Sequence, residues 1–376
     1  MKMSNLAVKT IVYQQASLYD IMESPFLPKA FQRHNSYRFI DLFCGIGGIR
    51  LGMERAGFEC VFSSDINDEC KKTYNANFNE MPHCDIVHIH ESDIPDFDIL
   101  CAGFPCQPFS ISGKQKGFED NRGTLFFEIC RIIKAKQPPV VFLENVKHLI
   151  HHDGGRTLRI ILEQLRELGY IVEWKLLNAL DYGVPQNRER IIIIASKDEA
   201  FNFSALPKSD RQILNDFLDI QGDFEFLQED EYTLIENPKI QKQSGLYFVG
   251  HRNKSIRKAG VRPGTEHLSR VHKQPNRIYS VMGTHPTLPS QETSGRFWIL
   301  LPDNRVRKLT IDECYRIMGF PSDFIRPSSI GEQYKQIGNS VCVPMVEAVA
   351  SALKQQYFER KQDNAYDPYR IAKQSL

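Results

Sequence analysis

Phe97-Asp98-Ile99-Leu100-Cys101-Ala102-Gly103-Phe104-Pro105-Cys106-Gln107-Pro108-Phe109-Ser110 joins two segments of opposite character. Its first half is an apolar run of strand length. Its second half cannot continue a strand or start a helix, because each proline removes a backbone donor and fixes its own φ. Cys106, caged between Pro105 and Pro108, therefore lies on a rigid loop at the carboxyl end of a strand, the place where open α/β sheets put ligands and chemistry. Cys101, within the strand, reads as a buried, inert thiol.

Outward from this loop, the chain alternates strands and helices up to about residue 196. Strands are expected over Tyr37–Phe43, Cys60–Ser64, Val140–Leu143, Ile171–Leu177 and Arg190–Ala195. Helices are expected after the glycine turn to about Ala56, over Asp65–Asn75, near Leu125–Lys136 and over Arg156–Leu168. The continuous Val/Ile runs fit strands buried on both faces of a parallel sheet. From about 197 to 305, turns, charges and short strand-like pieces take over. Thr310 with Glu313 forms a capping box that opens a helix to about Met318. Pro344 suits the first turn of a last helix to about Phe358. Residues 1–35 carry no clear pattern.

The 376 residues, 41% hydrophobic and 25% charged, describe an ordinary globular protein of roughly two domains. No apolar run approaches the ~18 residues that span a membrane, and no signal peptide is evident. Nine cysteines without a CxxC pair argue against a disulfide framework and for a reducing cytoplasm. His83, Cys84, His88 and His90 fit no zinc spacing, so no metal is expected. The net charge is only +1, yet Ser209–Glu236 holds nine acidic residues against one basic, and Lys239–Arg277 ten basic against one acidic. The second block reads equally as a solvated loop surface or as a phosphate-contacting face.

Three further motifs carry chemistry. Asp41-Leu42-Phe43-Cys44-Gly45-Ile46-Gly47-Gly48 closes the first strand with a tight turn, and Asp65, 20 residues past Gly45, is placed to accept from a ribose diol. This turn alone also fits a nicotinamide dehydrogenase, although paired glycines with Phe43 suit a diphosphate poorly. Glu144, in Phe142-Leu143-Glu144-Asn145-Val146, is costly at the end of an apolar strand unless it is paired or functional. In Gln186-Asn187-Arg188-Glu189-Arg190, strand alternation points both arginines to one side, where they can act on one carbonyl or anion. Gln336-Ile337-Gly338-Asn339-Ser340-Val341 turns into the last helix.

Taken in order across about 300 residues, these motifs resemble the C5-cytosine DNA methyltransferases of bacterial restriction–modification systems. The resemblance extends through Arg307-Lys308-Leu309-Thr310 and Gly319-Phe320-Pro321, and 111–127 is similar to the family's mobile active-site loop. It implies an α/β, Rossmann-like methyltransferase domain at 36–197 and 307–358. A smaller target-recognition domain at 198–306 is inserted before the last motifs, with an extension at 1–35 and a tail at 359–376.

The resemblance makes Cys106 the nucleophile that adds to cytosine carbon 6, and Glu144 the group at ring N3. Arg190, supported by Arg188, holds O2, and Asn145 fixes the arrangement. S-adenosylmethionine, leaving as S-adenosylhomocysteine, is implied to contact Phe43, Gly45, Ile46, Gly48, Asp65, Ile66, Asp85, Ile86, Leu125, Asn339 and Val341. Ile66 stands where the family often has tryptophan on the adenine. The partner implied is double-stranded DNA, met by Ser110, Ser112, Arg122, Thr287 and Arg296, with the base flipped and the 105–124 loop closing over it. A monomer is implied, paired in function with a restriction endonuclease but not in a stable complex. A transfer-RNA methyltransferase of the same architecture and a DNA binder with a dead methylase domain are the rivals. The intact set Cys106, Glu144 and Arg190 speaks against the second.

Overall fold

A computed structural model describes residues 36–105, 125–254, 272–290 and 298–359. Cys106, Ser110, Ser112, Arg122 and Arg296 lie outside the described residues, as do the 105–124 loop beyond Pro105 and the middle of the basic block. All elements from Arg38 onward belong to one compact unit.

The alternation in the first half becomes β1 (Tyr37–Leu42), α1 (Gly48–Arg55), β2 (Phe58–Ser64), α2 (Asp68–Phe78), β3 (Ile99–Gly103), α3 (Leu125–Lys136), β4 (Val140–Val146), α4 (Arg156–Glu167), β5 (Ile171–Asn178), β6 (Gln186–Asn187) and β7 (Glu189–Ser196). Six strands form one sheet in the order β2-β1-β3-β4-β7-β5. β1, β3 and β4 pair parallel. β7 runs antiparallel to both of its neighbours, β4 and β5, which corrects the all-parallel expectation. Its isoleucines 191–194 are nearly fully buried. A continuous apolar run reports burial on both faces, and an antiparallel strand deep in a sheet meets that condition as well. Asn67 caps α2 by accepting from the amides of Glu69 and Cys70, so that helix starts three residues later than expected. In α4 the buried Leu158, Ile161, Leu162 and Leu165 form the single apolar stripe that packs a helix on a sheet.

The second half builds a smaller sheet from β8 (Tyr232–Leu234), β9 (Phe248–Arg252), β10 (Arg277–Ser280), β12 (Trp298–Leu300) and β13 (Val306–Lys308), ordered β13-β12-β10-β9-β8. Val249, Ile278, Trp298 and Val306 form its core. β13 runs across the boundary expected at 306/307. The short β11 (His285–Pro286) joins neither large sheet and pairs parallel with β6. Then follow α5 (Ile311–Arg316), α6 (Ile330–Asn339) and α7 (Val343–Leu353). The expected capping box at Thr310 and Glu313 is present. Glu313 also binds Arg307 through two hydrogen bonds of 2.7 and 2.8 Å, with both side chains essentially excluded from solvent. Among the described residues, no helix is long and apolar enough to cross a membrane.

α1 packs tightly on α7. A Cβ at Gly52 would lie 2.6 Å from Val346 Cβ and 2.9 Å from the Glu347 amide nitrogen, so the backbone itself must yield. Gly52→Ala is expected to lower stability by about 1–3 kcal/mol, the usual cost of overpacking, despite alanine's better helix propensity. Urea denaturation of the two proteins measures it.

Candidate active site

Parallel register sets β3 and β4 level, pairing Gly103 with Glu144. A Cβ at Gly103 would stand 3.5 Å from Glu144 Oε2, so β3 ends directly beside that carboxylate. The antiparallel β7 brings its first residues to the same edge, with Arg190 opposite Val146. Arg190 Nε donates to Glu144 Oε1 at 3.0 Å, and the two side chains are 9% and 14% exposed. Burial pushes the Glu144 carboxyl up, opposed first by Arg190 and then by Arg188. Burial pushes Arg190 down, opposed by Glu144. The result is a carboxyl that holds its proton more tightly than in water, beside a cation that steadies the ionised form. Asn145 is buried. Its Nδ2 donates to the Phe104 carbonyl at 2.7 Å, and its Oδ1 accepts from the Val146 amide. It thus ties the strand carrying Glu144 to the loop that ends, among described residues, at Pro105.

The glycine turn lies at the same edge. Phe43, Gly45 and Gly47 all take positive φ, 57°, 55° and 85°. Asp65 locks the turn: its Oδ2 accepts from the Gly45 amide at 2.8 Å and its Oδ1 from the Asn67 amide at 2.7 Å. Burial pushes its carboxyl up, and these amides pull it back. Open space lies where a Cβ would stand at Gly45. The bridge between Ser64 and His83 sets the Asp65–Ile66 segment beside Asp85–Val87. Asp85 accepts from the Val87 amide, Ile86 is core, and Ile66 and Val87 are 68% and 50% exposed. A carboxylate, an open glycine turn and exposed aliphatic side chains fit a ligand with a diol beside a flat ring. Ile46 is buried, Leu125 packs on the main core at the start of α3, Asn339 is exposed at the end of α6, and Ser340 and Val341 press on Gly48. Among the described residues, no group of three or more His, Cys, Asp or Glu is arranged to hold a metal ion. His83 instead stacks on Phe62 with ring centroids 4.5 Å apart.

Beneath the turn sits a buried group that the sequence did not single out. Asp41 is fully buried and neither carboxyl oxygen has a well-formed hydrogen bond. Arg50 is its main electrostatic support, but that guanidinium is spent on Glu54, Tyr74 and Glu80 at 2.7, 3.0 and 2.6 Å. Burial pushes Asp41 from 3.8 to about 8.

The expectation for the arginine pair needs correction. Arg188 falls between β6 and β7, where its own amide bonds back to the Gln186 carbonyl, and strand alternation is broken. Its side chain turns to the carbonyls of Leu288, Gly338 and Ser340, while Arg190 alone meets Glu144. Thr287, expected at the DNA, is fastened to β6: its hydroxyl donates to the Asn187 carbonyl at 2.6 Å. Gln186, not singled out as a site residue, holds the same segment: its Oε1 accepts from the Leu288 amide and its Nε2 donates to the Ile317 carbonyl. No signal short of the fold marks these long-range partners.

The fold and this cluster define a methyltransferase-like α/β enzyme. The family model for the C-5 cytosine-specific DNA methylase matches residues 37–355, and the chain belongs to that family as a DNA cytosine-5 methyltransferase. It is 42% identical to the Type II methyltransferase M.HhaI of Haemophilus parahaemolyticus, over 83% of this chain and 93% of the relative. With M.HpaII of Haemophilus parainfluenzae the identity is 38% over 97% and 100%. Among solved structures, the Entamoeba histolytica methyltransferase EhMeth aligns with a TM-score of 0.61 at 19% identity, over 86% of this chain and 99% of that one. An Escherichia coli prophage methyltransferase described as a putative DNA modification enzyme gives 0.61 at 23%, over 85% and 99%. Both support the fold.

Two outcomes follow from this geometry. Asn145→Ala unties Phe104 and is expected to lower the turnover of DNA methylation by about 10²-fold, the cost of a misplaced reacting group, with DNA affinity unchanged; steady-state kinetics beside a binding titration tests it. For Asp41 the folded state keeps a proton between about pH 4 and pH 8 that the unfolded chain has released. Stability therefore falls as pH rises through that window, by at most about 1.4 kcal/mol per pH unit. Asp41→Asn should remove that slope, and chemical denaturation at several pH values measures the difference.

Proposed function

We propose that the protein methylates carbon 5 of a cytosine within a short recognition sequence of double-stranded DNA, through a covalent bond between Cys106 Sγ and carbon 6. Carbon 5 is too weak a nucleophile to be methylated directly, and thiolate addition at carbon 6 makes the ring an enamine. Cys106 forms the bond as its thiolate. Glu144 gives its proton to N3 as the thiolate adds, and takes it back when Cys106 leaves. Arg190 donates to O2 and steadies the Glu144 carboxylate once it is ionised. Asn145 holds the Phe104 carbonyl and so steadies the end of β3 beside Glu144. A water removes the carbon 5 proton, the electrons reform the 5,6 double bond, and the carbon–sulfur bond breaks.

S-adenosylmethionine, when bound, supplies an electrophilic methyl sulfonium. Asp65 would hold its ribose, Asp85 its adenine amino group, and Phe43, Ile66 and Ile86 the ring faces. Gly45, Ile46, Gly48, Leu125, Asn339 and Val341 would complete the pocket. The base is reached by flipping, at a few kcal/mol. The 198–306 region, with its basic block and Thr287-Leu288, is the target-recognition domain, and Arg296 is a guanine reader. The relatives' Type II names support a role in restriction–modification in a bacterial cytoplasm, with a monomeric enzyme protecting DNA from a cognate endonuclease.

The observation that carries this reading is the convergence of Glu144, Arg190 and Asn145 on the end of β3 from which Pro105-Cys106 departs. Bisulfite sequencing of DNA treated with the protein and S-adenosylmethionine should reveal protected cytosines in one short motif, and none with Cys106→Ser. Absence of protection with the unaltered protein, DNA binding being intact, rejects the reading.

A further inference from the structure

Arg188 is completely buried, although a guanidinium stays charged at every pH at which proteins fold. A buried charge is normally met by a carboxylate. Arg188 instead donates to three main-chain carbonyls: Nη1 to Leu288 at 3.0 Å, Nη2 to Gly338 at 2.7 Å, and Nη2 again to Ser340. These acceptors belong to two segments far apart in sequence.

The first segment, 285–289, is fastened along β6. His285 pairs with Gln186 and Pro286 with Asn187, the Leu288 amide donates to Gln186 Oε1, and Thr287 bonds the Asn187 carbonyl. The second segment, 338–341, is the end of α6 and its exit. Its Ser340 Oγ and Val341 Cγ1 lie 2.5 and 3.0 Å from where a Gly48 Cβ would stand, directly against the glycine turn. The two segments also touch without Arg188: a Cβ at Gly338 would fall 2.0 Å from the Pro289 carbonyl oxygen. Leu288 therefore cannot shift relative to Gly338 without breaking the guanidinium fork or parting main chains already in contact. The Ser340–Val341 exit moves with them.

We propose that Arg188 is a positioning residue that couples the DNA-side segment 285–289 to the cofactor-side turn 338–341, so that occupancy of one site strengthens binding at the other. This rests on the functional reading above. It differs from a plain brace, which would weaken both sites in parallel and leave their coupling intact. Lysine keeps the charge but gathers its donors on one compact ammonium in place of a planar fork, so it spans the two segments less well.

The test is the dissociation constant of S-adenosylhomocysteine, measured by calorimetry with and without a duplex carrying the bisulfite-mapped site. The unaltered protein should bind it at least about fivefold more tightly with the duplex. Arg188→Lys should bring that ratio within twofold of one, whatever change it makes to the constant without DNA. Gly338→Ala, which pries the same contact from the other side, should also abolish the ratio. The proposal is overturned if the unaltered protein shows no coupling, if Arg188→Lys keeps the ratio, or if both constants rise together at an unchanged ratio. Should Arg188→Lys fail to fold, the ratio in Gly338→Ala decides; should neither fold, Arg188 is a brace and the proposal falls. Absence of any methylated site defeats the functional reading first, whereas a mapped site with an unaltered ratio in the variant defeats only this inference.

Discussion

The direction of one strand makes the site possible. Arg190 stands near the start of β7, and in an all-parallel sheet the start of a strand lies at the edge opposite the chemistry. Because β7 runs against β4, its first residues arrive at the edge where Glu144 ends its run. The pair forms between neighbouring strands with no loop in between. Sheet hydrogen bonds hold both backbones, so the 3.0 Å contact is set by the ladder itself. Asn145 extends the same rigidity to Phe104. A site built this way keeps its geometry by pairing, not by loop packing.

Among the described residues, three buried arginines meet their surroundings differently. Arg307 and Glu313 neutralise each other in a two-point bond that also caps α5. Glu144 and Arg190 pair through one contact, with burial raising the carboxyl above its usual value. Arg188 has carbonyl partners, and burial together with Arg190 pushes its guanidinium down. The first arrangement is suited to permanence, because removing either partner strands a buried charge. The second is suited to moving a proton. The third fixes backbones that have no charge to offer.

Much of the catalytic half was legible in the sequence because its signals are local. The apolar runs that become β1, β3 and β4, the stripe of α4 and the capping box at Thr310 are set within a few residues of each other. Glu144 was legible because a carboxylate ending an apolar strand has to be paired or functional, whereas Asn145 was marked only by the family resemblance. The direction of β7 was not, since burial on both faces writes the same isoleucines whichever way a strand runs. The parting of Arg188 from Arg190 was hidden too: one irregular residue between β6 and β7 overturns alternation, and the partners lie 100 to 152 positions away. Asp41 was masked by the glycines beside it, whose turn chemistry drew the reading. Its electrostatic neighbours Arg50, Asp65 and Glu80 lie outside its own strand.

The bonds that fasten the 285–289 segment share a trait with consequences for descent. Arg188 grips the carbonyl of Leu288, Gln186 accepts its amide, and Thr287 reaches the carbonyl of Asn187. Nearly every one of these attachments ends on main chain, which is the same whatever side chain it carries. A lineage can therefore rewrite the residues displayed by the smaller sheet while the bonds that fasten this segment stay as they are.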